Sequence, residues 1–450
     1  LSIDQQIAPA IAACLPGRTG FAGALALLAG CLLPFHIQPA AAKPLPAGAF
    51  LRACKIVVPE QTPLFPGSPA AAAAEPDEDG TGSDDDDEEE DEDEEDEEEA
   101  VPGFVSPGMG HCVAISGVLS LGIQSDSFRA STLARAAGLV PANGLSYPRS
   151  LSFRIESART LPSGLHVASA FEFSFDQTND PATGSTPSFA EASVTIGPFV
   201  FGVAGSRFDF WTGDEFVFST RVPSRTVGLI GYERLLWPDL KLSISAEDTQ
   251  IDAARALPGA SGLRMPDGVV RLLHEGEAWT LHGAAALRDV PRGPGVSARM
   301  GRAALLGLTY EAPLLGKTTS VTAQLAGAVD AAPYIGSSLD LRVLRQVIGA
   351  TDATRGWSGV LALGRDWTDT LASHVFVSRY QLSLPGRAGG TGRVRIDRVA
   401  ANLAWTPVEG FKTGLEASVA WQKLDLGSAV VPVGLAGRQS SLQLFLERSF

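Results

Sequence analysis

The sequence predicts an all-β fold, a transmembrane antiparallel β-barrel, on three observations. From residue 103 onward, segments of about ten residues alternate apolar with small or polar side chains, separated by Gly, Pro, Asp and Asn. The polar faces carry charges along the whole stretch, while the opposite faces are apolar without interruption. Aromatic residues recur near predicted strand ends, at Trp211, Tyr232, Trp237, Tyr310, Trp357, Trp367 and Trp405, where a girdle at lipid headgroups would place them.

Two segments of another kind precede the alternating region. Residues 1–42 read as a leader: Arg18 lies just before the apolar stretch Phe21 to Phe35, and Ala40-Ala41-Ala42-Lys43 has the small-residue form of a signal-peptidase site. The stretch is shorter than the roughly 20 residues a membrane helix needs. Leu28-Ala29-Gly30-Cys31 also has the shape of a lipoprotein cleavage box. Against it, the apolar core continues through Leu32, Leu33 and Phe35, which leaves Cys31 as a small residue inside the leader.

Residues 43–102 form an N-terminal segment expected in the periplasm, with an acidic run at 75–99. Of the 51 acidic residues, 20 fall between Glu75 and Glu99. So many like charges cannot pack together, so the run is expected to be solvated and disordered, a repulsive spacer rather than a Ca²⁺ loop with its glycines and spaced ligands. Without it, 35 basic residues face 31 acidic ones. That near-balance lacks the basic stripe a nucleic-acid binder needs, so nucleic acid is excluded as a partner.

Residues 103–450 carry the strands. Val113, Ile115, Leu119, Leu121 and Ile123 share one face, with Ala114, Ser116, Ser120 and Gln124 on the other. Leu151, Phe153 and Ile155 oppose Ser152, Arg154 and Glu156; Phe171, Phe173 and Phe175 oppose Glu172, Ser174 and Asp176. The alternation recurs at Leu240, Leu242 and Ile244, again at Trp279, Leu281 and Leu287, and ends with Leu442, Leu444, Leu446 and Phe450 on one face. A soluble sandwich alternates too, but a barrel in lipid must close to satisfy its backbone, and many strands without helices over a long domain fit that demand.

Several segments resemble the porins of alphaproteobacterial outer membranes. AFLRAC, ending at Cys54, and PGFVSPGMGHC, ending at Cys112, look like that family's paired-cysteine lead into the first strand, with the acidic run inserted between them. PFVFGVAGSRFDF (198–210) looks like the strand leading into the inward-folding loop, and SISAEDT, ending at Thr249, like the strand after it. ANLAWTPVEGFKTGLEASVAW (401–421) is the most specific segment, and LFLERSF resembles the terminal strand.

The resemblance implies sixteen strands, a homotrimer in outer-membrane lipid, no cofactor, and passive diffusion of small hydrophilic solutes and ions. It also implies a third extracellular loop, about Ser206 to Arg225, folded inward as a constriction. That loop contains Asp209, Asp214, Glu215, Arg207, Arg221 and Arg225. A transverse field between loop acids and wall cations is expected from Asp209, Asp214 and Glu215 against Arg154, Lys241 and Arg288. In the oxidising periplasm Cys54 and Cys112 are expected to pair. Val203 stands where the family commonly has arginine and Lys317 where an acid is usual, so ion preference is not carried over. A structural or adhesion barrel with a closed lumen is the alternative.

Enzymatic signatures are near misses. Gly316-Lys317-Thr318 resembles the end of a phosphate loop, but Glu311 occupies the first glycine position. His274-Glu275 begins a zinc-protease pattern in which Ala278 replaces the second histidine, and no G-x-S-x-G turn occurs. His166, His282 and His374 are expected as lumen or surface side chains, and no metal site is expected.

Overall fold

The computed structural model describes residues 53–56, 64, 101–105, 111–132, 143–177, 185–248, 265–290, 299–336, 354–385, 391–426 and 433–450. The leader, Cys31 and the acidic run lie outside them.

Two short strands come first. β1 (Ala53–Ile56) pairs with β2 (Val101–Val105), placing Cys54 opposite Gly103. β2 in turn pairs with the start of β3 (Cys112–Ala130), with Val105 opposite Cys112. Cys54 and Cys112 form a disulfide with Cα atoms 5.8 Å apart. β4 (Gly144–Ser146) rides on the far end of β3.

The wall continues through β5 (Arg149–Thr160), β6 (His166–Gln177), β7 (Ser185–Ile196), β8 (Phe199–Gly205), β9 (Thr226–Trp237) and β10 (Leu240–Asp248). Next come β11 (Asp267–Glu275), β12 (Trp279–Val290), β13 (Arg299–Leu314), β14 (Lys317–Val329) and β15 (Arg355–Thr368). The last four are β16 (Leu371–Pro385), β17 (Thr391–Val408), β18 (Phe411–Leu426) and β19 (Val433–Ser449). Each wall strand pairs antiparallel with the next, and β19 pairs with β3, closing a barrel of 16 strands. Phe450 completes the seam: it exchanges both backbone hydrogen bonds with Gly117, at 3.0 and 2.9 Å.

Closure follows from what lipid withholds. A strand edge in hydrocarbon would leave a row of N–H and C=O groups unpaired, each costing several kcal/mol, so a spanning sheet must have no edge. The side chains are distributed for the same setting. Leu121, Ile123, Leu272, Leu281, Leu306, Leu361, Leu403 and Leu415 are exposed on the outside, Leu306 at 69%. Glu247 and Glu416, on the inside, are 0% exposed. Such an inversion, apolar out and charged in, marks a surface built for lipid.

The two ends differ. Turns at 197–198, 238–239, 315–316, 369–370 and 409–410 tightly close the end where β3 begins. Leu315 and Gly316 have φ of 55° and 73°, a left-handed pair that matches the twist of a two-residue hairpin. The phosphate-loop look-alike is therefore a hairpin turn. The opposite end carries the long connections, including 206–225 and 330–354. β1 and β2, which bracket the acidic run, both lie at the short-turn end, and Leu64 donates a backbone bond to Leu235 of β9 near the same rim.

Two measurements test this wall. Leu306→Arg should lower stability in a bilayer by about 2–4 kcal/mol, read from urea titration, because it puts a charge against the hydrocarbon midplane. Cys54→Ser/Cys112→Ser should lose about 4 kcal/mol in the chain-entropy account, with the folded barrel otherwise intact.

Candidate functional site: a constriction loop inside the barrel

The connection between β8 and β9, residues 206–225, folds into the lumen and docks along the inner wall. Its backbone would be unsatisfied there without partners, and lumen side chains supply them. Glu247 of β10 accepts from Ser206 Oγ at 2.7 Å and from the Arg207 N–H at 2.9 Å. His282 of β12 meets the Phe208 carbonyl at 3.2 Å, and Gln324 of β14 accepts from the Trp211 N–H at 3.0 Å. Asn402 of β17 donates to the Glu215 carbonyl at 2.7 Å, and Arg398 to that of Ser219 at 3.0 Å. Near the tip, Glu416 of β18 accepts from the N–H groups of Val217 and Phe218, at 2.8 and 3.0 Å.

The wall under the loop is paved with small residues. Ala284, Ala286, Ala303, Ala326 and Ala328 face inward and pack with Val269 and Leu305 against Phe208, Tyr334 and Ile335. Gly307 must be glycine because a Cβ there would sit 2.2 Å from the Phe210 ring. Further along, Phe216 stacks edge-on against Phe376, with ring centres 4.6 Å apart.

A second inward segment braces the loop base. Ala332–Ile335 forms a short 3-10 turn, and Tyr334 packs edge-on to Phe208 with ring centres 4.7 Å apart. The Arg225 guanidinium lies over the Tyr334 ring at 3.9 Å, and Tyr334 donates to Asp267 at 3.2 Å. Burial pushes the Tyr334 phenol up from its ordinary range, so it remains a donor.

The residues expected at the constriction separate into two groups. Asp214 and Glu215 are exposed at the loop tip and line a cavity of about 280 Å³ with Ser120, Ser150, Ser152, Lys412 and Glu447 of the facing wall. Asp209, Arg207 and Arg225 hold the loop in place. Asp209 accepts from the Arg225 N–H at 2.6 Å, Arg207 pairs with Glu233, and Arg221 takes a left-handed φ of 60° beside Ser219.

The wall cations are likewise divided. Arg154 on β5, two residues from Ser152, contacts Glu156, Glu172 and Glu191 at 2.6–2.9 Å, so that cluster carries net negative charge. Lys241 pairs with Glu275 at the short-turn rim, away from the loop. Arg288 is 1% exposed beneath the inward segments, 3.7 Å from Asp267. Trp211, expected in the aromatic girdle, is instead a loop side chain turned toward Phe376. SISAEDT forms most of β10, the second strand after the loop rather than the first. His282 and His374 face the lumen and touch the loop.

Lys412, Glu447, Gln324 and Asn402 were not singled out in the sequence. The available signal was parity: each is a polar residue at a lumen-facing position of an alternating strand.

No family model and no curated protein sequence matches this chain. Its fold is similar to the outer membrane channel DcaP of Acinetobacter baumannii at 14% identity, covering 77% of this chain and 99% of that one, with a TM-score of 0.60. Salmonella typhi OmpF, in complex with daunomycin, is similar at 11% identity over 76% of this chain and 98% of that one, with a TM-score of 0.50. At these identities the likeness establishes the fold, a closed sixteen-stranded antiparallel barrel.

Glu416→Ala should detach the loop tip. Two N–H bonds to a charged acceptor are lost, about 3 kcal/mol together. Limited proteolysis within 206–225 should accelerate while the barrel stays folded, as read by its resistance to heat in detergent.

Proposed function

We propose that the chain is an outer-membrane porin through which small hydrophilic solutes and ions diffuse passively, with a preference for cations. The observation that carries this reading is the passage left between the loop tip and the wall of β3, β5, β18 and β19. The inward segments pack against β10 to β17 and reach β18 at Glu416, leaving free the wall of β3, β5 and β19 and the Lys412 end of β18, which favours an open channel over the closed structural barrel.

The charge balance of the passage supports cation preference. Asp214, Glu215 and Glu447 line it against one cation, Lys412, which is itself 3.4 Å from Glu447. Three glutamates surround Arg154 on the adjoining wall. In a narrow, low-dielectric passage such an excess of carboxylates lowers the energy of a partly dehydrated cation and raises that of an anion. The acidic run, joined to β1 and β2 at the short-turn mouth, would add to the same field.

The homotrimer remains part of this proposal. β5 to β8 are shorter than β15 to β19, and their outer face carries Phe153, Phe171, Phe173, Phe189, Phe199 and Phe201. A short aromatic wall of this kind suits self-association in the membrane. The alphaproteobacterial affinity rests on the quoted segments, of which 198–210 runs into the loop as that resemblance implies.

Planar-bilayer recording tests the reading. The full chain should give stable conductance steps, with a reversal potential of the cation-selective sign under a salt gradient. Asp214→Asn/Glu215→Gln/Glu447→Gln should reduce that potential markedly, and deletion of 75–99 should reduce it less. A folded barrel without conductance would instead support the closed alternative.

A further inference from the structure

The alternation of the wall is broken at one place on its inner face. Lumen positions meet water and are expected to be polar, as Gln124 and Asp126 of β3 are. Toward the long-loop mouth the same faces turn apolar, with Phe128 on β3, Val394 and Ile396 on β17, Leu424 on β18 and Leu435 on β19. Val394 and Ile396 pack against the inward cluster of Ile335 and Leu382, whereas Phe128, Leu424 and Leu435 belong to no buried cluster among the described residues. A local breach of the inside-out pattern that packing does not explain points to binding.

These side chains border a cavity of about 560 Å³, a volume in the range of small-molecule sites. The four segments that line it, 128–130, 394–396, 422–424 and 435–439, each begin and end on a lumen-facing position, which places the cavity inside the barrel. Gln422 and Gln439 add two amides to the apolar lining.

Two cations at its inner end identify the occupant. Arg398 is the next lumen-facing residue after Ile396 on β17, about 7 Å further along the strand toward the loop. It is 7% exposed, donates to the Ser219 carbonyl at 3.0 Å, and keeps a buried Nε–H without a hydrogen-bond partner. Arg221, two residues on from Ser219, brings a second positive charge within range of the first, and its Nε–H is likewise unpartnered. The acids nearby are already engaged. Glu416 holds the N–H groups of Val217 and Phe218, and Asp126 accepts from Gln124, Gln439 and Ser441. Neither arginine forms an ion pair with a carboxylate among the described residues. Two neighbouring guanidiniums with no acid between them repel each other, and a bound anion would offset that cost.

We propose that this cavity is a subsite for an apolar solute bearing one carboxylate. The hydrocarbon or aromatic part lies against Phe128, Ile396 and Leu424, and the carboxylate reaches Arg398 and Arg221. Arginine suits the task because its planar fork engages both carboxylate oxygens. The subsite shares β3, β18 and β19 with the passage beside Asp214 and Glu447 but lies nearer the long-loop mouth, so a solute entering there meets it before the constriction. The proposal deepens the porin reading and rests on it for access from that mouth.

The test is calorimetric titration of the full chain, refolded in detergent micelles, with 3-phenylpropionate, using empty micelles as the reference. Saturable binding is expected, weakened about tenfold or more in Arg221→Gln/Arg398→Gln and held within about threefold in Arg221→Lys/Arg398→Lys. Leu424→Asp, which sets a like charge in the apolar part and leaves the bond from Arg398 to Ser219 in place, should weaken binding by a similar factor while heat resistance is unchanged. Propionate and 3-phenylpropan-1-ol each lack one of the two recognised groups and should bind at least tenfold more weakly. Equal binding of either compound, or of 3-phenylpropionate by the folded glutamine or Leu424→Asp variant, would overturn the proposal. Saturable binding to a barrel that gives no conductance would support the subsite and count against the porin reading, whereas conductance without saturable binding would overturn the subsite alone.

Discussion

Every backbone N–H and C=O must find a partner, and the rest of this structure depends on that constraint. In the wall the partner is the next strand, and because lipid offers none the last strand must return to the first, as β19 does to β3. In the lumen the same constraint governs an irregular loop. Residues 206–225 can lie inside because side chains on β10, β12, β14, β17 and β18 meet their backbone groups one by one. A carboxylate suits this task, since each of its two oxygens accepts an N–H, as Glu416 does from consecutive residues.

This arrangement shapes the passage. A loop held only by apolar contacts could slide, whereas one captured at both base and tip has a fixed path. The alanine and glycine pavement of β11 to β14 lets the loop's aromatics approach that wall closely, which shifts it away from β3 and β5 and leaves space there. Charged residues in the lumen therefore divide into those that bind the loop and those that face solutes. Glu247 and Arg225 belong to the first kind, Asp214, Glu215 and Lys412 to the second.

Much of the wall was legible because side-chain parity is a local property. Leu121 and Gln124, Phe173 and Glu172, Leu281 and His282 fall on opposite faces as their alternation requires. The strand number was not legible that way and entered through a family resemblance. The extent of the inward loop came from the same source and coincides with the interval between β8 and β9. Long-range pairings were not readable. That Glu416 would meet Val217, 199 positions away, depends on where the loop crosses the lumen. Arg288 and Arg154 have the same parity, yet one is buried beside Asp267, which accepts from Tyr334 of the second inward segment, and the other is partly exposed. Nothing local in the sequence distinguishes an interior charge that faces water from one beneath a folded-in segment.

The most direct test of the loop's position is chemical modification of a cysteine at its tip during current recording. In Asp214→Cys, with Cys14 and Cys31 replaced by serine and the Cys54–Cys112 disulfide retained, a membrane-impermeant cationic thiol reagent should attach and reduce the current in discrete steps. Ser125→Cys on the outer face should leave the current unchanged when labelled. Complete labelling at residue 214 with no change in current would place the tip away from the passage and contradict the account.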